Sequence, residues 1–391
     1  MRGEEGWYEL LLEMLPEGWE AKAKELGAMQ RARVVRTPGE LLRLILLYLT
    51  EGKSLAGTVA LAGLSGIAEI SKVAMFKRLR NSKDWLKWLG QNVYRRAGLT
   101  AAKPEWLKGR EVLLVDGSED VKCGVRRQCY MLHYSLDLFT LEAREFLVTD
   151  ISTGERLSNF TDIRKGDIVV GDRAYGNMPG IAHLMKFDAD FALRMRGWRH
   201  TFFDGKNRKM DMSGRLSVLK EGETADISAK CLVNGQYEPV RVCVLRKDAE
   251  SEKAGLKRLR KENQRKQGGK PVSQAQMESN RYVVVATSLG VEVSSAQVME
   301  LYRARWQIEI AFKRLKSLFA YNDVPMDDRE SAFAWFYGKL LLAALCETLV
   351  NTGRFPPSGT DGERGASPLS GADESVARAA GGVDADGPDI A

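Results

Sequence analysis

Residues 109–120, GREVLLVDGSED, and residues 165–176, KGDIVVGDRAYG, repeat one pattern: a short apolar run that ends at an aspartate beside a glycine. Apolar runs of this length, rich in Val and bounded by turn residues, read as strands buried on both faces. Between them, RRQCYMLHYSLDLFT (126–140) and EAREFLVTDIST (142–153) read as two further strands, and GERLSNF (154–160) as a short helix. After them come a helix in NMPGIAHLMKF (177–187) and a strand in ADFALRMRG (189–197). Alternation of this kind implies an α/β fold with a mixed sheet, placed over residues 108–196.

Working outward, residues 1–107 read as mostly helical. PGELLRLILLYLT (38–50) starts with proline in the first turn and gathers Leu41, Leu42, Ile45 and Leu49 on one face. SLAGTVALAGLSGIAEISKVAMFKRLR (54–80) reads as two short helices broken at Gly63 and Gly66, the second ending in Lys77, Arg78 and Arg80. Two helices about a Gly-containing turn, the second basic, fit a helix-turn-helix that binds DNA. A helical packing domain with a solvated basic face accounts for the same residues.

Residues 197–293 form a β-rich insertion. Its clearest signal is a hairpin in ETADISAKCLVNGQYEPVRVCVLRKD (223–248), turning at Asn234-Gly235. NRYVVVATSL (280–289) is a further strand, and residues 246–270, with ten Lys plus Arg against four acids, form a basic helix and loop. From Ser294 one long amphipathic helix is expected through Phe319, followed by an apolar helix, closing the catalytic region at 294–351. Residues 352–391 hold eight Gly, four Pro and few large apolar side chains, a composition expected to remain a disordered tail.

Composition narrows the function. The chain has 391 residues, 44% hydrophobic and 28% charged, which excludes wholesale disorder and a membrane bundle. Lys plus Arg total 59 against 52 acids, a net +7 that permits nucleic-acid binding without demonstrating it. Five cysteines without a C-x-x-C pair, and three histidines, leave little material for a disulfide scaffold or a zinc site. The acidic N-terminus MRGEEGWYELLLEM is unlike a secretory signal, and the apolar runs LILLYL and LLLAALC fall short of a membrane span. A cytoplasmic protein is expected.

Asp116 and Asp172 stand at equivalent strand ends, where ligands gather in open α/β sheets. A single aspartate there would ordinarily cap its turn. A pair on neighbouring strands repels unless it holds a proton or a cation, and carboxylate oxygens suit Mg²⁺ or Mn²⁺. On one continuous helix at 100° per residue, Tyr302, Arg305, Glu309 and Lys316 fall within about 60° of arc, beside the apolar stripe of Leu301, Ile308, Phe312, Leu315 and Phe319. An acid, two cations and an aromatic at that margin suit a phosphate ester held beside a metal.

These residues also carry a resemblance. YRARWQIEIAFKRLK (302–316) resembles the Tyr-x2-Arg-x3-Glu-x6-Lys signature of bacterial insertion-sequence DDE transposases, the insertion-sequence-four family. VLLVDGSED and VVGDRAYGN resemble the segments bearing that family's two catalytic aspartates. The resemblance covers roughly residues 30–350. It implies an RNase H-like catalytic domain with a β-rich insertion, preceded by a helical DNA-binding domain, with Asp116, Asp172 and Glu309 as a metal-binding catalytic triad. It implies DNA contacts from Tyr302, Arg305, Lys316, Lys313, Arg194 and Arg196. Tyr282 stands where some relatives stack a flipped base on Trp.

The activity so implied is cut-and-paste transposition. The protein would bind terminal inverted repeats, cleave with Mg²⁺ (Mn²⁺ substituting) and join the 3′-OH ends to target DNA. It would act as a homodimer on double-stranded DNA, associated with the nucleoid and with no membrane. Two rivals share the motifs: an inactive or truncated relative that only binds DNA, suggested by the atypical tail, and a metal nuclease without strand transfer.

Overall fold

The computed structural model describes residues 2–50, 54–94, 101–122, 128–196, 200–266, 271–321, 324–325 and 328–352. Apart from Thr352, the expected tail lies outside them. Six helices come first: α1 (Arg2–Glu13), α2 (Trp19–Glu25), α3 (Pro38–Thr50), α4 (Leu55–Leu64), α5 (Lys72–Asn81) and α6 (Lys83–Tyr94). Next are β1 (Val112–Lys122), β2 (Gln128–Asp137), β3 (Ala143–Asp150), β4 (Ile168–Gly176), α7 (Met178–Met185) and β5 (Asp190–Met195). The insertion holds α8 (Met212–Leu216), β6 (Thr224–Val233), β7 (Gln236–Arg246), α9 (Ala249–Lys266), α10 (Gln274–Asn280) and β8 (Tyr282–Thr287). The described chain closes with α11 (Ser295–Ala304), α12 (Trp306–Phe319) and α13 (Arg329–Thr352).

The strands lie in one sheet, ordered β3-β2-β1-β4-β5-β8-β7-β6. β2 and β3 pair antiparallel, while β1, β4 and β5 run parallel. This mixed sheet agrees with the RNase H-like fold expected. The insertion does not close a separate β-structure: β8 pairs antiparallel with β5, and β7 with β8, so its strands prolong the catalytic sheet. Pairing satisfies the edge of β5, which would otherwise present a row of unpaired backbone groups. The β6–β7 hairpin turns at Asn234 and Gly235, both at positive φ (48° and 83°), as a two-residue turn of this type requires.

By contacts the chain forms two compact units. One comprises residues 2–102, 116–154 and 308–352 among those described. Here the N-terminal helices share a core with α13, so they are not packed as a domain of their own. Lys339 Nζ donates to the Leu49 carbonyl at 2.8 Å, and a Cβ at Gly90 would lie 3.5 Å from the Leu341 backbone. A stretch of α13 is long and apolar enough to cross a membrane, but 72% of its most apolar window is buried in the protein. α4 and α5 are the expected helix pair, capped by Ser54 and Ser71 and joined through Gly66 at φ 68°. Their side chains leave open both readings given above.

The second unit comprises residues 103–115 and 155–307. Its core is built on Leu113, Val115, Val169, Phe191 and Leu193 from the parallel strands, with Val240, Val242, Val244, Val284 and Ala286 from the insertion. Arg241 ties the insertion down from within. It pairs with Asp226 and donates to the carbonyls of Leu289 and Val293 at 3.0 and 2.9 Å.

Candidate active site

In the second unit, β1 pairs with β4 from Val112↔Ile168 to Val115↔Gly171. Asp116 and Asp172 directly follow that last pair. Gly171 is closely surrounded: a Cβ there would lie 3.0–3.2 Å from the side chains of Tyr175, Leu193 and Val115, which would have to give way. Beyond it β4 bulges: its pairing with β5 jumps from Gly171↔Leu193 to Gly176↔Met195. Four residues, Asp172 to Tyr175, thus stand against Arg194 alone. Bulges recur beside active sites because they re-aim side chains.

Hydrogen bonds hold the bulge from within and from β5, and Asn177 Nδ2 donates to the Ala174 carbonyl at 2.8 Å. Oδ1 of half-buried Asp172 accepts from the Ala174 amide at 2.7 Å. Nε of Arg196, just past β5, donates to the Arg173 carbonyl at 3.0 Å. Gly176 closes it against β5, where a Cβ would overlap the Arg194 carbonyl oxygen. The bulge and the part of Arg173 in it were not expected from sequence. The only local signal is the glycine four residues after Asp172.

Arg194 reaches across to α11. Its Nη1 donates to the Tyr302 hydroxyl at 3.1 Å, and its guanidinium lies 5.7 Å from the Tyr302 ring centroid. The Arg305 guanidinium lies 6.0 Å from the same centroid. The structure thereby brings together Arg194, Tyr302 and Arg305. Tyr302 itself is 6% exposed. Two guanidinium groups thus stand about one buried aromatic ring.

The single helix expected from Ser294 to Phe319 is instead two. The chain turns at Arg305, whose amide bonds the Tyr302 carbonyl three residues back at 3.1 Å. No glycine or proline marks the break. Arg305 itself keeps helical dihedrals, φ −51° and ψ −26°, between the two helices. Within α12, Ile308, Phe312 and Leu315 are buried, with half-buried Glu309 and Lys316 beside them and Lys313 exposed.

The first unit holds Asp116, Glu309, Lys313 and Lys316. Half-buried Asp116 accepts from the Gly117 amide through Oδ1 at 2.8 Å. Phe312 packs on Tyr134 of β2 with ring centroids 5.8 Å apart, which seats α12. Tyr134 belongs to a buried polar group with Tyr94 and Glu347. Burial raises the Glu347 carboxyl above its ordinary range, against the opposing charge of Arg314. Among the described residues, no three of His, Cys, Asp and Glu form a group able to hold a metal ion.

Tyr282 is corrected by its surroundings. It is 9% exposed, its hydroxyl donates to the Leu216 carbonyl at 2.9 Å, and Arg246 lies 5.3 Å from its ring centroid. A ring so enclosed is a core aromatic of β8 and presents no face for a base to stack on.

Residues 107–345 match the family model described as "Transposase DDE domain". The chain is 33% identical over 360 residues to the transposase for insertion sequence element IS421 of Escherichia coli, covering 89% of this chain and 95% of that protein. It is also 33% identical over 359 residues, with the same coverage, to the InsL protein for insertion sequence element IS186A of Escherichia coli strain K12. A more distant likeness, 24% over 206 residues, is to the transposase for IS231C of Bacillus thuringiensis subsp. berliner, covering 48% of this chain and 42% of that protein.

Proposed function

The chain belongs to the DDE transposase family, and on that footing we propose that Asp116, Asp172 and Glu309 are the carboxylates through which it holds metal and cuts DNA. It is a metal-dependent transposase acting on DNA. The observation that carries the residue assignment is the parallel register, in which the paired Val115 and Gly171 are each followed by an aspartate. Asp172 is oriented through Oδ1, and its Oδ2 has no hydrogen-bond partner among the described residues.

A donor set of carboxylate oxygens, without sulfur or imidazole, suits a hard divalent cation, here Mg²⁺ with Mn²⁺ able to substitute. Bound there, such ions supply the charge that activates the attacking oxygen and steadies the leaving one at phosphorus. The chain's own residues position the strand. Arg194, Tyr302 and Arg305 form one phosphate-holding group. Arg196, Lys313 and Lys316 supply further backbone contacts. Lys316 lies two turns beyond Glu309, roughly 10 Å along the helix, so it grips DNA away from the scissile bond. At the element's terminus the water oxygen bonds to phosphorus as the P–O3′ bond breaks, leaving a 5′-phosphate on one side and, with a proton from water, a free 3′-OH on the other. That hydroxyl then attacks a target phosphodiester, forming one P–O bond as another breaks.

Residues 1–107 supply terminal-repeat recognition through α4 and α5, residues 108–196 and 294–351 the catalytic fold, and residues 197–293 its insertion. Two copies act together, one at each end of the element, at the nucleoid. The test uses the full-length protein and duplex carrying a terminal repeat. Asp116→Asn, Asp172→Asn and Glu309→Gln should each abolish cleavage in Mg²⁺ while keeping end binding, because phosphate contacts come mostly from Lys and Arg. Full cleavage by any one of the three overturns the triad.

A further inference from the structure

We propose that Asn177 is a positioning residue for Asp172: its side-chain amide locks the bulge so that Asp172 offers a cation one oxygen, Oδ2, a restraint that favours Mg²⁺ or Mn²⁺ over Ca²⁺. This rests on the reading of Asp172 as a metal-holding carboxylate and adds to it the residue that sets which metal is preferred.

The bulge leaves backbone groups without sheet partners, and side chains take them. Arg173 and Ala174 fall in the stretch of β4 that has no register partner on β5. The Arg173 carbonyl and the Ala174 amide belong to one planar peptide unit. Arg196 Nε holds its carbonyl end at 3.0 Å, and Asp172 Oδ1 accepts from its amide end at 2.7 Å. Rotation about the Ala174 Cα would still tilt that unit against the rest of β4. The Ala174 carbonyl prevents this, because it accepts from Asn177 Nδ2 at 2.8 Å.

Asn177 is itself tied to a rigid element. Its Oδ1 caps α7 by accepting from the Gly180 amide at 2.9 Å, and its backbone amide donates to the Tyr175 carbonyl at 2.8 Å. Nδ2 thus meets a carbonyl and Oδ1 an N–H, so both ends of the side-chain amide face their complement. α7 is anchored through Ile181 and Leu184, 1% and 0% exposed. A Cβ at Gly180 would lie 2.6 Å from the Tyr175 carbonyl oxygen, so the first turn of α7 sits directly on the bulge. Capping alone needs an acceptor, which serine or aspartate supplies as well as asparagine. The donor toward Ala174 is what asparagine adds.

The consequence is for coordination. Oδ1 is committed to the Ala174 amide, and the carboxylate cannot turn both oxygens outward while that peptide stays fixed. A carboxylate held to one oxygen suits Mg²⁺ and Mn²⁺, whose octahedral shells take single oxygens at set angles. Ca²⁺ accepts larger, looser shells and takes carboxylates through one oxygen or two. Freeing the bulge therefore costs the smaller ions more than it costs Ca²⁺.

The test uses the full-length protein and the metal alone. Mn²⁺ binding is followed by the EPR signal of the free ion, and Ca²⁺ binding by competition with Mn²⁺, in the parent, Asn177→Ser and Asn177→Asp. Both replacements keep a cap for α7, so both melting temperatures should stay near the parent's. Mn²⁺ affinity should fall in both by roughly three- to tenfold, less than the ~10–100-fold typical of a group bonded directly to a metal ligand. The preference for Mn²⁺ over Ca²⁺ should narrow in both. Tighter Mn²⁺ binding in Asn177→Asp with no change in Asn177→Ser would be an effect of charge alone and overturns the proposal. A parent-like preference in both variants overturns it too, as does an equal loss of both metals with a lower melting temperature, or failure of both variants to fold. A parent that binds no Mn²⁺, or an Asp172→Asn protein that binds it like the parent, would instead refute the metal reading of Asp172.

Discussion

Arg194 of β5 donates a hydrogen bond from Nη1 to the Tyr302 hydroxyl of α11 at 3.1 Å, and Arg305 stands beside the same ring. One phenol thus orients two guanidinium groups. Tyr302→Phe keeps the ring and removes the acceptor. A hydrogen bond to a charged group contributes up to about 1.5–3 kcal/mol when buried, and for half-buried Arg194 about 1 kcal/mol is expected. Urea unfolding should show that loss, and end cleavage should fall further than end binding. Parent-like cleavage would show that the contact has no part in holding the strand.

Gly176 should tolerate no side chain. Its Cβ would overlap the Arg194 carbonyl oxygen, a backbone atom that moves only with β5. Gly176→Ala should destabilise by about 1–3 kcal/mol and displace the bulge that aims Asp172. The expected readout is a lower melting temperature together with cleavage lost by more than end binding. Normal stability and activity would mean that β4 and β5 part at no cost.

Acid should weaken the fold through His133. Its imidazole is fully buried on β2 against the Thr149 hydroxyl, and burial lowers its pKa from 6.5 to about 4. A lowered folded-state pKa favours the neutral ring, so this stability is present above about pH 6.5 and lost as pH falls toward 4. A difference of that size corresponds to about 3 kcal/mol. Unfolding free energies from pH 7 to pH 4 should fall in the parent and fall less in His133→Gln, relative to its own value at pH 7. Identical acid limbs would place the effect on other groups.

A fragment of residues 1–107 should not fold cooperatively. α3 and α6 pack on α13, through contacts such as Leu49 with Lys339 and Gly90 with Leu341. Removing α13 uncovers Leu49, which is buried in the intact protein and lies against Gly338 of α13. The fragment should melt without a sharp transition and give no terminal-repeat preference. A cooperative, repeat-binding fragment would show that α13 is dispensable to it.

The features already legible in the sequence are those set by short-range physics. The runs ending at Asp116 and Asp172 declare buried strands by composition, and Asn234-Gly235 declares its turn because both residues accept positive φ. The basic character of α9 was equally plain, and so was the ordered pattern from Tyr302 to Lys316 that carries the family likeness. Tertiary structure alone showed the tightened turn at Arg305, whose amide bonds the Tyr302 carbonyl three residues back. It alone decided that Tyr282 is enclosed, that β8 pairs with β5, and that the N-terminal helices share a core with α13. Backbone preference and hydrophobic period are local to a few residues. Burial, edge pairing and the aim of an arginine depend on partners, such as Tyr302 for Arg194, that lie 108 positions away along the chain.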